Sequence, residues 1–308
     1  MSVTVRFSDF WHTSRPTIDR FLIPLIESVY QNEILVENNP KKRVDLEVFS
    51  VFPPKRNLSR RALNRFSKFT FETSQLMEER VLYNSRKTMW FTGENKRAPI
   101  GNQFDTYLGF EPEGLIPNLH YLPLWVLNFD HFGKGTPHGF TSVLTTQDQL
   151  LLARKFKKIR KDKFCCAFLG NPTSFRVGIL KNLIDIGPVG LYGSAFGNKV
   201  SDKSLVSSDY KFSFAFENNL YPGYITEKLL EAYLANTVPL YWGIDSSGYF
   251  NKDAFINFGE FNSLEEFVNI VRELNSDKDR YIATYEQPLL NHKFDIDGLV
   301  TKLRNDLL

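Results

Sequence analysis

The chain has 308 residues, enough for two domains rather than one, and 42% hydrophobic with 15% aromatic residues can fill a core in each. This composition excludes a disordered chain, and 38 Lys and Arg set against 35 Asp and Glu, a net charge of +3, argue against a dedicated nucleic-acid binder. Two adjacent cysteines, Cys165 and Cys166, offer neither a disulfide framework nor a metal cluster, because neighbours on a strand face opposite ways. The first residues contain no apolar run of a signal peptide, and nowhere do 18 apolar residues follow one another. A reduced, cytoplasmic protein is the expectation.

In chain order, Val3 to Phe7 reads as a strand, Ile18 to Tyr30 as a helix and Val44 to Val51 as a second strand stopped by Pro53 and Pro54. Leu58 to Phe66 and Ser74 to Tyr83 have helical character, and Thr88 to Thr92 is a short strand running into Gly93. Pro99 to Phe129, rich in Gly, Pro and aromatics, is expected to be irregular with one or two short strands. A basic helix over Gln149 to Arg160 marks the boundary between domains 1–150 and 151–308. The alternation then restarts: strand Phe164 to Leu169, helix Phe175 to Ile184, strand Tyr210 to Glu217, helix Thr226 to Ala235, strand Val238 to Trp242 and a last helix from Ser263 to Leu274. The 28 Phe fall mostly within these apolar segments and read as core. Two basic runs, Lys55 to Lys68 and Arg154 to Lys163, read as solvated helix faces, with attraction of an anionic ligand or a membrane surface as the alternative.

One segment carries chemistry. Tyr210, Phe212, Phe214 and Phe216 alternate with Lys211, Ser213 and Ala215, so the strand ends at Glu217-Asn218, and ligands of open α/β sheets bind beyond such carboxyl ends. After a loop with Pro222-Gly223, Thr226 is placed to cap a helix that opens with Glu227 and Lys228. A helix N-terminus with a lysine attracts anions, while Glu217 and Glu227 suit sugar hydroxyls or a purine edge. On these residues alone, a nucleotide-sugar site and an ordinary capped helix fit about equally.

The run FAFENNLYPGYITEKLLEAYLANTVPLYWG resembles the signature of the α-1,3/4-fucosyltransferases, glycosyltransferase family 10, with spacing intact from Phe216 to Gly243. Trp90-Phe-Thr-Gly-Glu-Asn95 and Phe168-Leu-Gly-Asn-Pro-Thr-Ser-Phe-Arg176 resemble two further family segments in the expected order, and the likeness spans roughly residues 81 to 291. It implies the GT-B architecture, two facing Rossmann-like α/β domains with an interdomain cleft, the first binding the acceptor and the second GDP-fucose. It also implies an inverting reaction that joins L-fucose in α-1,3 or α-1,4 linkage to an N-acetylglucosamine or glucose residue of a glycan. The acceptor would be of N-acetyllactosamine or lipopolysaccharide type.

Residue by residue, the resemblance makes Glu94 the general base and Arg176 and Lys228 the diphosphate contacts. It makes Asn218, Tyr224 and Glu227 the contacts to nucleotide and sugar. Glu72, Asp105, Glu113 and His12 are the rivals of Glu94. No metal or other cofactor is expected, beyond a non-essential stimulation by a divalent cation; that is what the resemblance implies. Other readings are a same-fold transferase with another nucleotide sugar, a glycan- or nucleotide-binding protein without catalysis, and a nucleic-acid binder using the basic runs. Weak peripheral membrane contact is the most the basic runs imply, and the oligomeric state is left open.

Overall fold

The computed structural model describes residues 2–10, 14–52, 85–99, 101–136, 146–156 and 161–308. The basic run Lys55 to Lys68, the helices expected at Leu58 to Phe66 and Ser74 to Tyr83, Pro53 and Pro54, and the candidates His12 and Glu72 all lie outside the described residues. Two compact units emerge. One comprises Met1–Leu122, Asp130–Pro137 and Asp295–Leu308, the other Pro123–Phe129 and His138–Phe294.

The first unit is built on a parallel sheet of β1 (Val3–Ser8), β2 (Ile34–Val36), β3 (Val44–Phe49), β4 (Ser85–Phe91), β5 (Thr106–Gly109) and β6 (Leu119–Tyr121). Their order is β2-β1-β3-β4-β5-β6. Trp90, Tyr107, Phe49 and Phe104 pack on one another in its core. Helix α1 (Ile23–Tyr30) continues the π-helical stretch Ile18–Leu22 without leaving helical backbone, so Pro24 lies inside a longer helical run, and α1 ends at Gln31 in the left-handed region with φ 53°. The irregular segment expected from Pro99 onward holds two short strands, β5 and β6, and the short 3-10 turn Leu124–Asn128.

The second unit has a parallel sheet of β7 (Lys163–Phe168), β8 (Val189–Tyr192), β9 (Tyr210–Phe216), β10 (Val238–Trp242) and β11 (Ile256–Asn257), in the order β11-β10-β9-β7-β8. Chain order reverses between β7 and β9, which makes the carboxyl ends of those two strands the place for a ligand. Phe212, Phe214 and Phe216 face the core with Leu180, Leu183, Phe267 and Val271, and each such ring buried contributes about 1.5–3 kcal/mol. Helices α3 (Ser174–Ile184), α6 (Leu264–Ser276) and α7 (Lys278–Tyr285) accompany the sheet on that side; α4 (Lys203–Ser207) and α5 (Glu227–Leu234) precede β9 and β10.

Three expectations change. The basic helix Gln149 to Arg160 is only α2 (Gln147–Leu150), closed at its start by a reciprocal Thr146–Gln149 capping box. What ends it is Arg154. Its guanidinium lies 3.6 Å and 4.0 Å from the ring centres of Tyr233 and Tyr285, and it donates to the carbonyls of Tyr233, Thr237 and Tyr285. Lys161 likewise donates to the carbonyls of Ser208, Tyr210 and Asn236. Among the described residues of this run, Arg154 and Lys161 are therefore not solvated: both satisfy backbone oxygens, several of them at the carboxyl end of α5, where helix dipoles favour positive charge, whereas Lys163 stays half-exposed beside Asp209.

The second change concerns the division of the chain, expected at 150/151. Residues 295–308 return to the first unit as helix α8 (Ile296–Leu307), which the sequence reading did not identify. Leu299, Val300, Leu303 and Leu307 are buried there, Arg304 donates to the carbonyls of Val29 and Ser28, and Asp306 accepts from Thr106 and meets His120 at 2.6 Å. Apolar residues at helical spacing plus these polar ties outweigh mere proximity in sequence. Third, α7 was also missed, because its apolar content is carried by Tyr281 and Tyr285 rather than by aliphatic residues.

Candidate active site

The loop after β7 and the loop after β9 enclose a cavity of about 360 Å³. Thr173 caps α3, accepting from the Arg176 N–H, and so fixes Arg176 in the first turn of that helix. Arg176 is only 2% exposed. One terminal guanidinium nitrogen donates to the Asn171 carbonyl and to Asn218 Oδ1, each at 3.0 Å, whereas its Nε has no partner among the described residues. Burial lowers the Arg176 pKa, and the Glu217 and Glu227 carboxylates oppose that loss.

Glu217 is the centre of the arrangement, and its role differs from the ligand-facing one expected. It is wholly buried. Its carboxylate accepts from the Thr226 N–H and hydroxyl, both at 2.8 Å, and from Lys228 Nζ at 3.1 Å. Thr226 does stand at the start of α5, but its hydroxyl turns to Glu217 instead of capping the helix. A strand-end carboxylate thus ties the helix start to the sheet and orients the lysine. Burial pushes the Glu217 carboxyl up, with Lys228 pulling the other way.

Lys228 donates to Glu217, Thr226 and Glu227 at 3.1, 2.8 and 3.3 Å, so its three protons are all engaged. Burial works against its ammonium, but the Glu217 and Glu227 carboxylates outweigh burial and hold its pKa above the ordinary lysine value. Burial likewise opposes the charge on Glu227, and Lys228 outweighs it, keeping that carboxyl below its usual range. Glu227 is the more open of the two partners, its side chain 38% exposed against none for Glu217.

Of the residues expected at the site, Arg176, Asn218, Glu227 and Lys228 line one cavity. Tyr224 is buried in the loop before α5 and is not among the lining residues. Glu94 belongs to the first unit. It follows β4 in an exposed turn whose backbone is closed by Thr92, which donates to the Glu94 carbonyl and accepts its N–H. Its rivals have other work: Asp105 accepts from the N–H and hydroxyl of Thr88, and Glu113 pairs with Lys302 at 2.6 Å. The cavity also holds Lys203 and Glu231, which the sequence reading passed over. Glu231 stands one turn after Glu227 on the same helix face, and that spacing was the available signal.

Among the described residues no cluster of three His, Cys, Asp or Glu is placed to hold a metal, and no helix is long and apolar enough to cross a membrane. A parallel sheet with two cations in a cavity near its switch point defines an α/β unit able to hold an anionic ligand. Residues 158–287 match the model of the family described as glycosyltransferase family 10 (fucosyltransferase), carboxyl-terminal part. The chain is 29% identical over 252 residues to the α-(1,3)-fucosyltransferase FucT of Helicobacter pylori, covering 73% of this chain and 52% of that one. It is 33% identical over 156 residues to human 4-galactosyl-N-acetylglucosaminide 3-α-L-fucosyltransferase 9, covering 48% and 42%. The chain spans about half the length of the curated relatives it matches.

The fold matches that of solved α1,3-fucosyltransferase structures. One aligns with a TM-score of 0.70 at 22% identity, covering 99% of this chain and 90% of the other. A second, with GDP-fucose bound, aligns with a TM-score of 0.68 at 20% identity over the same shares. The GT-B architecture expected from the sequence is the one found.

Proposed function

We propose that this chain transfers L-fucose from GDP-fucose, with inversion, to a hydroxyl of an N-acetylglucosamine or glucose residue in a glycan, forming an α-1,3 and in some acceptors an α-1,4 linkage. The observation that supports this most is the pairing of Arg176 and Lys228 in one cavity at the switch point. Arg176 offers a planar cation for diphosphate oxygens, and the start of α5 adds its dipole. Because every proton of Lys228 is engaged in the empty site, donor entry exchanges one of those bonds. Glu227, the exposed partner, swings to the ribose or fucose hydroxyls and frees one lysine donor for phosphate. Glu217 keeps its bond and so holds the ammonium in place.

As the glycosidic bond breaks, charge grows on the departing diphosphate, and both cations gain strength in the partly buried site. Glu94 takes the proton of the acceptor hydroxyl. No metal is needed on this reading, so transfer persists in EDTA; its loss there overturns that part. The acceptor is expected to be of N-acetyllactosamine or lipopolysaccharide type, and the work to be done in the cytoplasm with at most peripheral membrane contact.

The test is incubation with GDP-fucose and a panel of such glycans, with linkage analysis of the product. Fucosylated product at O-3 of the acceptor sugar supports the reading. Transfer of sugar to the acceptor only from a different nucleotide sugar, with release of that donor's nucleotide, favours the same-fold alternative.

A further inference from the structure

The cavity does not end at the two cations. It continues along α5 past Glu231 to Ala232 and Ala235, and is closed on the other side by Lys203, Ser204 and Ser207 of α4. Its floor is Ser213, Phe214 and Ala215 of β9, with Phe168 at the edge. Apart from the two phenylalanines, these walls are small side chains, which leave room for a flat ring. The polar end of the chamber is a single ion pair, Lys203 Nζ to Glu231 at 3.3 and 3.2 Å. The Glu231 side chain is 23% exposed and that of Lys203 51%. Burial raises the Glu231 pKa, and Lys203 opposes that rise.

We infer that Glu231 and Lys203 form the base-selecting end of this cavity and recognise guanine, the Glu231 carboxylate accepting from its N1–H and exocyclic amine and the Lys203 ammonium donating to its O6. The inference rests on the nucleotide-sugar reading above and specifies which residues choose the nucleotide. Two lines of geometry support it. Glu227 and Glu231 stand about one turn apart on one face of α5, about 6 Å along the axis, which is comparable to the reach from a ribose hydroxyl to the far edge of its purine. With diphosphate at Lys228 and ribose at Glu227, the base therefore arrives at Glu231.

The second line is complementarity. Guanine presents two donors beside one acceptor on that edge, and a carboxylate beside an ammonium answers them in order. Adenine presents the acceptor N1 in place of the guanine N1–H, and uracil keeps a donor there but sets O2 in place of the guanine amine, so in each a partly buried carboxylate oxygen faces a lone pair. A structural ion pair would need none of this selectivity.

The experiment measures dissociation constants of GDP, inosine diphosphate, UDP and ADP by calorimetry for the wild type, Glu231→Gln and Lys203→Met. Inosine diphosphate differs from GDP only by the missing amine, so the wild type should prefer GDP to it by about tenfold or more, the worth of a hydrogen bond to a charged group. In Glu231→Gln that ratio falls toward one. In Lys203→Met both affinities fall alike, since both bases carry O6, and the ratio stays. Unfolding temperatures show whether the variants remain folded. A wild type that prefers GDP to UDP, with an unchanged GDP-to-inosine-diphosphate ratio in Glu231→Gln, overturns this inference and leaves the proposed donor standing. A wild type that binds UDP as well as GDP overturns the donor itself.

Discussion

The two candidate halves of the chemistry are built in opposite ways. In the second unit, Lys228 and Glu227 belong to a network whose hub, Glu217, is fully buried, and Arg176 is tied to Asn218 beside it. In the first unit, Glu94 sits on an exposed turn whose backbone is fixed by Thr92. The contrast matches what each half is asked to do. A nucleotide diphosphate is the same in every turnover, and cations held in advance lose little entropy when it binds. A base that serves a sugar hydroxyl needs a carboxylate at the right distance only when the acceptor is present, and a solvated turn suffices to present it.

The sharpest way to break the contrast is Glu94→Gln. Fucosyl transfer should fall by about 10²- to 10⁴-fold while the dissociation constant for GDP stays put. A variant with undiminished turnover removes Glu94 from the chemistry and leaves the first unit without its assigned role. Next in size is Glu217→Ala. Removing the acceptor of Lys228 and Thr226 strands a partly buried ammonium and should cost about 3–5 kcal/mol of stability, seen as a lowered unfolding midpoint in thermal or urea melts. Glu217→Gln, which still accepts hydrogen bonds, should recover part of it. A midpoint unchanged by either substitution shows that the network is ornamental.

Arg176→Lys sharpens the comparison from the ligand side. Lysine cannot bond Asn171 and Asn218 through one nitrogen while offering a second to phosphate, so GDP should bind about tenfold more weakly by calorimetry. Equal affinity means the guanidinium serves the fold alone.

The smallest effect concerns Lys161. Burial pulls its pKa from 10.5 down to about 8. Between those values the unfolded chain holds a proton that the native chain has lost, so this group makes stability rise with pH across that window. Comparing denaturant midpoints at pH 7.5 and 9.5, the wild type should gain on the order of 1 kcal/mol relative to Lys161→Met. Parallel behaviour of the two proteins excludes a buried, titrating Lys161.

How much of this was legible before any coordinates follows from the range of the forces involved. Residues 210–242 were read almost as they stand, because strand alternation, a Pro-Gly loop and a helix start are local signals. Lys228 was recognisable for the same reason, whereas Arg176 was named only through the family resemblance. Which way Glu217 points was not, since a residue at a strand end has two faces to choose from and only the position of Thr226 decides. Nor was the pairing of Lys203 with Glu231, whose partners come from different helices. The helix expected at Gln149 to Arg160 failed at Arg154, whose ties to Tyr233, Thr237 and Tyr285 reach far along the chain. Local propensity yields to such contacts.

Helix α8 has a consequence for the order in which the protein comes into being. Its residues 296–307 complete the first unit, yet a ribosome makes them only after the whole of the second. The second unit can therefore close during synthesis, as domains generally do, while the first waits with the surface of α1 uncovered. A nascent chain stopped at residue 294 should bind GDP and still be recognised by chaperones.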